Sequence, residues 1–173
     1  DMRRATLDMN VWVRLAWQDP RLSWDPAQFG GLERIAFIAS PVAIEESQIW
    51  VPEVELYSST GSTYNLPRKE VIVDSDGHAF WSRPGEIRSV CQMDGLTNFP
   101  FDVVACRMRF GGWSLGGSVQ NLTAAEDGSA FTADLTSLAT FQEYRVRRTS
   151  ITRGVDTWSC CPDEVGWPYV QFS

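Results

Sequence analysis

The chain has 173 residues, 43% of them hydrophobic, which suits one domain with a sizeable core and excludes a disordered composition. Its formal charge of −7 argues against nucleic acid, whose phosphates need a Lys/Arg surface, and gives only a general pull on cations. The longest apolar run, 35–44, is interrupted by Ser40 and Pro41 and falls short of a membrane span; with no signal peptide at its start, the sequence reads as a mature or trimmed piece.

In chain order the pattern is one of short alternating segments, with no strong amphipathic helix. Val11, Val13, Leu15 and Trp17 share one face of a predicted strand, and Trp12, Arg14 and Ala16 share the other. Trp12 therefore points away from the core face, which suits an interface, a binding site, or a surface tryptophan under a loop. Further strands are predicted at 34–38, 48–57, 70–73, 78–82, 86–91, 103–110, 117–122, 130–134, 141–151 and 165–172. Turn signals separate them at Asp19-Pro20, Gly30-Gly31, Ser40-Pro41, Asp76-Gly77, Arg83-Pro84-Gly85 and Asp127-Gly128. Asp76-Gly77 between two β-rich runs predicts a hairpin. Many short strands at this spacing read as a sandwich or barrel. No repeat, low-complexity tract or linker divides the chain, so residues 1–173 read as a single domain.

Catalytic signatures are missing. The single histidine, His78, follows a turn and has no partner in sequence. There is no Ser/His/Asp set, no Cys/His metal cluster and no phosphate-binding glycine loop, so neither an enzyme, a metal nor a cofactor is expected. Asp94 and Asp102 could pair, but they flank the apolar Phe99-Pro100-Phe101 and lack any other catalytic sign.

Four cysteines allow three pairings if all are bridged. With the sequon Asn121-Leu122-Thr123, a candidate glycosylation site, they favour an oxidising, extracellular setting. Cys160 and Cys161 are neighbours, and Cα atoms ~3.8 Å apart lie below the usual span of a disulfide. A bridge between them would close almost no loop and would make sense only as a stiff turn at a loop tip. The alternatives are two bonds elsewhere or two free thiols. A Cys91–Cys106 bridge would close a loop of about 16 residues, worth ~3 kcal/mol in the chain-entropy picture. Phe99 and Phe101, inside that interval, must fold onto the core or dock on something apolar.

Eight tryptophans are present, many of them beside turn residues. Trp113 sits in Phe110-Gly111-Gly112-Trp113-Ser114-Leu115-Gly116-Gly117, where flanking glycines would let backbone approach a ligand. Trp158 and Trp167 bracket the cysteine pair, and Tyr57 ends the run that starts at Ile49. Such rings can enclose an organic cation, each contributing ~0.5–2 kcal/mol, or can simply fill a tryptophan-rich core.

Taken in order, Asn10-x-Trp12, Trp17-x-Asp19, Leu22-x-Trp24, Ile49-Trp50-x-Pro52, Leu56-Tyr57, the Cys91/Cys106 interval with Phe99-Pro100-Phe101-Asp102, Phe110-Gly-Gly-Trp113-Ser114 and Cys160-Cys161 form a specific series. On these residues the chain resembles the extracellular domain of Cys-loop receptors, in the branch of nicotinic acetylcholine receptors and soluble acetylcholine-binding proteins. The match runs from Asn10 to about Gly117 and again from Trp158 to Val170, and is weak between 120 and 150. The resemblance implies an immunoglobulin-like β-sandwich of about ten strands, five copies in a homo- or hetero-pentameric ring, and a small cationic ligand between neighbours. It implies a Cys91–Cys106 disulfide and a vicinal Cys160–Cys161 disulfide. The principal face would comprise Tyr57, Trp113, Trp158, Cys160, Cys161 and Trp167, with Tyr169 as rival to Trp167. The complementary face would comprise Trp12, Ile72, Phe80 and Ser82. Phe99-Pro100-Phe101-Asp102 would be the tip that couples binding to a membrane domain, at the extracellular face of the plasma membrane.

Several positions depart from the family. The Cys91/Cys106 interval is one residue longer, and the third ligand loop has two extra residues after Cys161. Both tyrosines of that loop become tryptophans. An aspartate used in gating is replaced by Tyr169, and Arg109 stands where a lysine partners it. A bulkier or more apolar cation than acetylcholine follows as an expectation. The ten residues before the Trp12 strand are too few for the family's N-terminal helix and first strand, and the last strand stops early. Competing readings are a secreted, soluble binding pentamer, a secreted carbohydrate-binding sandwich, and a subunit that keeps the fold without binding. The apolar 99–101 tip favours a channel subunit over the first, because an exposed apolar tip without a partner invites aggregation.

Overall fold

The computed structural model describes residues 5–40, 46–59, 70–92, 105–125, 149–162 and 165–173. Nine strands are present among them: β1 (Thr6–Gln18), β2 (Arg34–Ile38), β3 (Glu55–Leu56), β4 (Glu70–Asp74), β5 (His78–Gln92), β6 (Ala105–Cys106), β7 (Met108–Gly111), β8 (Ile151–Asp156) and β9 (Trp167–Phe172). They form two sheets, ordered β1-β5-β4-β2 with β6 on β5, and β3-β7-β9-β8. Two 3-10 turns, Pro20–Leu22 and Pro26–Phe29, are the helical pieces among the described residues. The chain thus belongs to the all-β sandwich class that the alternating pattern predicts.

The chain divides into two compact units: residues 8–52 with 61–88, and residues 1–7, 53–60 and 89–173. In the first, the outward and inward sides of β1 alternate through its whole length, with Val11, Val13, Leu15 and Trp17 on the more buried side. The core of this unit gathers Ala39, Ile49, Val71, Val73, Ala79 and the fully buried Trp81, with Leu15, Trp17, Leu22, Trp24, Phe37 and Val51 packed on it. Trp17 meets Trp50 edge-on at 6.3 Å between ring centres, and the Arg83 guanidinium lies 4.6 Å from the centre of the Trp81 ring. Part of the tryptophan content is therefore core.

The Asp76-Gly77 signal marks a real hairpin, with Ile72 opposite Phe80 and Val73 opposite Ala79. Gly77 adopts φ +86°, and a Cβ there would lie 2.5 Å from the Asp19 carbonyl oxygen, so only glycine fits.

Other expectations fail. Arg83-Pro84-Gly85 is not a turn: 78–82 and 86–91 belong to one strand, β5. Pro84 lies past the described β4 ladder, so its missing N–H breaks no bond there. The predicted strand 48–57 shrinks to Glu55–Leu56, because Gln120 occupies the backbone of Glu53 in place of a strand: its Oε1 accepts from Glu53 N–H at 2.8 Å and its Nε2 donates to Glu53 C=O at 2.6 Å. Residues 117–122 form no strand, since Val119 and Gln120 N–H turn back to the Gly116 carbonyl. The 103–110 segment divides into β6 and β7 in its described part, and β8 runs 151–156, where the prediction ended. Strand 130–134, most of 141–151, Asp94, the Asp127-Gly128 turn and Phe99-Pro100-Phe101-Asp102 lie outside the described residues.

Candidate functional site

The second unit carries the residues expected on the principal face. From Pro52 to Tyr57 burial alternates: Pro52, Val54 and Leu56 are buried, while Glu53, Glu55 and Tyr57 are partly exposed on the opposite side. Extended backbone therefore presents two carboxylates and a phenol in a row. Glu53, Glu55, Leu56 and Tyr57 line a cavity of about 310 Å³ together with Trp113.

Trp113 is 75% exposed. A tryptophan this open needs its backbone held, and Glu53 holds it. The Glu53 carboxylate accepts from the N–H groups of Trp113 (3.1 Å), Ser114 (2.8 Å) and Leu115 (2.9 Å), and from the Ser114 hydroxyl (2.8 Å). Burial pushes this carboxyl up, but the donors of Leu115, Ser114 and Trp113 outweigh it and hold it below the usual glutamate range. Glu53 is therefore charged at neutral pH.

The glycines around Trp113 serve packing inside the protein, where the sequence suggested approach to a ligand. A Cβ at Gly112 would lie 2.4 Å from the Leu115 carbonyl, and one at Gly111 would lie 2.3 Å from the Tyr57 hydroxyl. Tyr57 thus lies across Gly111 and donates from Oη to the Gly112 carbonyl at 2.5 Å. Burial pushes its phenol up, as do the charges of Asp156 and Glu53, with Arg109 opposing. Tyr57 stays a protonated donor.

The third loop connects β8 to β9. Asp156 and Trp167 face each other at its base, and Trp158, Cys160 and Cys161 lie beyond them. Trp158 is half exposed. Cys160 and Cys161 carry thiols 2.6 Å apart, without a bond between them, whereas Cys91–Cys106 is bonded. Trp167 is buried, and its indole N–H donates to the Trp113 carbonyl at 3.1 Å, so it braces the Trp113 loop from behind. Tyr169 crosses Gly154, where a Cβ would lie 2.4 Å from its hydroxyl, and the Arg109 guanidinium stacks 4.2 Å from its ring centre. Arg109 also pairs with Asp156 at 3.0 Å and bonds Gln171. It has a carboxylate partner after all, supplied by β8.

The four residues expected on the complementary face belong to the other unit. Trp12 is 66% exposed on β1, Ile72 and Phe80 are exposed cross-strand partners, and Ser82 follows Phe80 on the same side of β5. Asn121 is exposed, and its side-chain oxygen accepts from Arg153 at 2.5 Å.

Sequence reasoning missed Glu53, Glu55 and Gln120. One signal was available. A loop of four glycines around Ser-Leu leaves N–H groups without ladder partners, and these require an acceptor. The two carboxylates in the run that ends at Tyr57, Glu53 and Glu55, were the places to look, and Glu53 is the one used.

The described part of this all-β domain presents aromatic rings and carboxylates to one open cavity and holds no catalytic constellation among the described residues. Comparison gives the family. The model of the neurotransmitter-gated ion-channel ligand binding domain matches residues 1–173, and the chain belongs to that family, which comprises ligand-gated channel receptors and not enzymes. It is 32% identical over 174 residues to neuronal acetylcholine receptor subunit alpha-10 of Homo sapiens. It is 26% identical over 173 residues to subunit alpha-5 of Rattus norvegicus, and 29% identical over 173 residues to acetylcholine receptor subunit alpha-type acr-16 of Caenorhabditis elegans. These alignments cover 99–100% of this chain and 32–36% of the relatives, so the chain spans about a third of their length.

Proposed function

We propose that residues 1–173 act as one extracellular ligand-binding domain in a pentamer of like subunits, at the plasma membrane, and bind a small cationic amine. The cavity of Glu53, Glu55, Tyr57 and Trp113 carries this reading, since a charged carboxylate beside two aromatic faces favours a cation over a neutral or anionic ligand. The 157–166 loop, with Trp158 and the adjacent Cys160 and Cys161, closes over the amine. Trp12, Ile72, Phe80 and Ser82 of the next subunit form the far wall. Closure is then passed to a membrane domain through the Cys91–Cys106 loop and its Phe99-Pro100-Phe101-Asp102 tip, and ligand biases gating only by its preference for the closed form. Asn121 carries an N-glycan in this reading.

Light scattering on the purified chain, with tryptophan fluorescence under a panel of quaternary amines, tests it. A pentamer whose emission changes saturably is expected. Trp113→Ala should lose more affinity than any other single substitution, because it removes the exposed ring of the cavity. A monomer with no response, or a neutral Trp113→Ala, overturns the reading.

A further inference from the structure

We infer that Glu55 makes this site select ligands with two cationic centres, one held on Trp113 and Tyr57 and the other at the Glu55 carboxylate. The inference rests on the amine-binding reading above and names the ligand class within it. Two carboxylates line the cavity, and they differ in what they already hold. Glu53 takes four hydrogen bonds from residues 113–115, three at Oε2 and one at Oε1. Its carboxylate is thus tied to the Trp113 loop and contributes charge to the cavity from a fixed place.

Glu55 is placed otherwise. It sits between Glu53 and Tyr57 on the exposed side of the strand, so its stem runs along the cavity wall. Its cross-strand partner is Gly111, which brings no side chain to cover it, and Tyr57 occupies the space over that glycine. Glu55 is itself engaged with a neighbouring group. The role asked of it requires charge at the wall, and a carboxylate can hold a neighbour and a ligand cation together. A partly exposed ion pair is worth little alone, so Glu55 should discriminate between ligands more than it anchors them.

The test uses the assembled protein with two probes, tetramethylammonium and a series of bis(trimethylammonium) alkanes of increasing chain length. Wild type should bind the best-fitting dication about tenfold more tightly than the monocation, with an optimum at one chain length. Glu55→Gln should collapse that ratio to within about twofold and flatten the length optimum. Glu55→Asp, which keeps the charge on a shorter stem, should retain a preference at a longer chain length. A ratio unchanged in Glu55→Gln, or no dication preference in wild type, overturns the Glu55 role while the amine site stands. Wild type that binds neither probe overturns both.

Discussion

Two turns in this chain are held by different means. In the 75–77 turn between β4 and β5 the clamps are mainly backbone to backbone: Asp19 N–H to Gly77 C=O at 3.0 Å, Trp24 N–H to Ser75 C=O at 2.9 Å, and Ser75 N–H to Glu33 C=O at 2.8 Å, with the Gln18 amide on the Asp76 carbonyl at 2.7 Å added to them. In the 112–117 loop the clamps are mainly side chains, Glu53 on three consecutive N–H groups, the Tyr57 hydroxyl on the Gly112 carbonyl and the Trp167 indole on the Trp113 carbonyl, with one backbone bond from Gly117 N–H to Gly166 C=O at its end. The first turn organises a hairpin and depends on one glycine. The second presents a tryptophan to solvent and depends on the charge of one carboxylate. A turn that serves the fold can be fixed by groups every residue carries, whereas a loop that displays a side chain is fixed here by particular ones.

Among changes to the two turns' clamps, removing the Glu53 carboxylate should produce the largest effect, second only to loss of the Trp113 ring itself. Glu53→Ala leaves the three N–H groups to water and frees the loop. Amine affinity should fall on the order of 30- to 100-fold, the equivalent of one or two hydrogen bonds to a charged group. Glu53→Gln, which keeps one acceptor oxygen in place, should lose less. Equilibrium titration by fluorescence measures both. Equal affinity in wild type and Glu53→Ala would mean that Trp167, Tyr57 and the Gly117–Gly166 backbone bond hold the Trp113 loop without the carboxylate.

The same contrast explains what the sequence disclosed. The 75–77 hairpin was legible because Asp-Gly carries its own backbone requirement, and the alternation of Val11, Val13, Leu15 and Trp17 placed Trp12 outward as observed. Tyr57 and Trp113 were legible through the ordered resemblance, and the structure brings both to one cavity. The clamp was not legible. Glu53 and Gln120 are far apart in sequence, and nothing local announces that an amide side chain will stand in for a strand. Arg83-Pro84-Gly85 misled for a related reason: turn chemistry was overridden where a proline falls past the neighbouring β4 ladder. Nor did the pattern distinguish core tryptophans from presented ones. Trp167 and Trp113 both follow a glycine, yet one is buried and the other largely exposed.

Gly77→Ala should act in the opposite sense from the clamp variants. The positive φ and the clash with the Asp19 carbonyl would destabilise the unit that holds the hairpin by roughly 1–3 kcal/mol. Thermal or denaturant unfolding should show that loss. At temperatures where the variant is still folded, amine affinity measured on the same sample should stay within about twofold of wild type. A loss of affinity as large as that of Glu53→Ala, with stability unchanged, would reverse the roles assigned to the two turns.

The smallest effect is a graded one, and pH reveals it. Glu53 in place has its carboxyl held below the usual range, whereas in a released loop it returns to about 4.3. Its contribution is therefore complete above that ordinary value and is lost as pH falls through the depressed one. Between pH 5 and 7 the Trp113 loop should not respond at all. Below about pH 4 it should loosen, whereas the backbone clamps of the 75–77 turn carry no titrating proton, so any acid response there comes through the carboxylates beside it, Asp19 and Asp74, and persists in Glu53→Gln. The indole N–H signal of Trp167, which reports its bond to the Trp113 carbonyl, is the probe to follow by NMR. In Glu53→Gln that acid transition should disappear, because the amide has no charge to lose. A midpoint above the ordinary glutamate value, or a transition that survives in Glu53→Gln, would place the controlling proton on another group and remove the charge-dependent half of the contrast between the two turns.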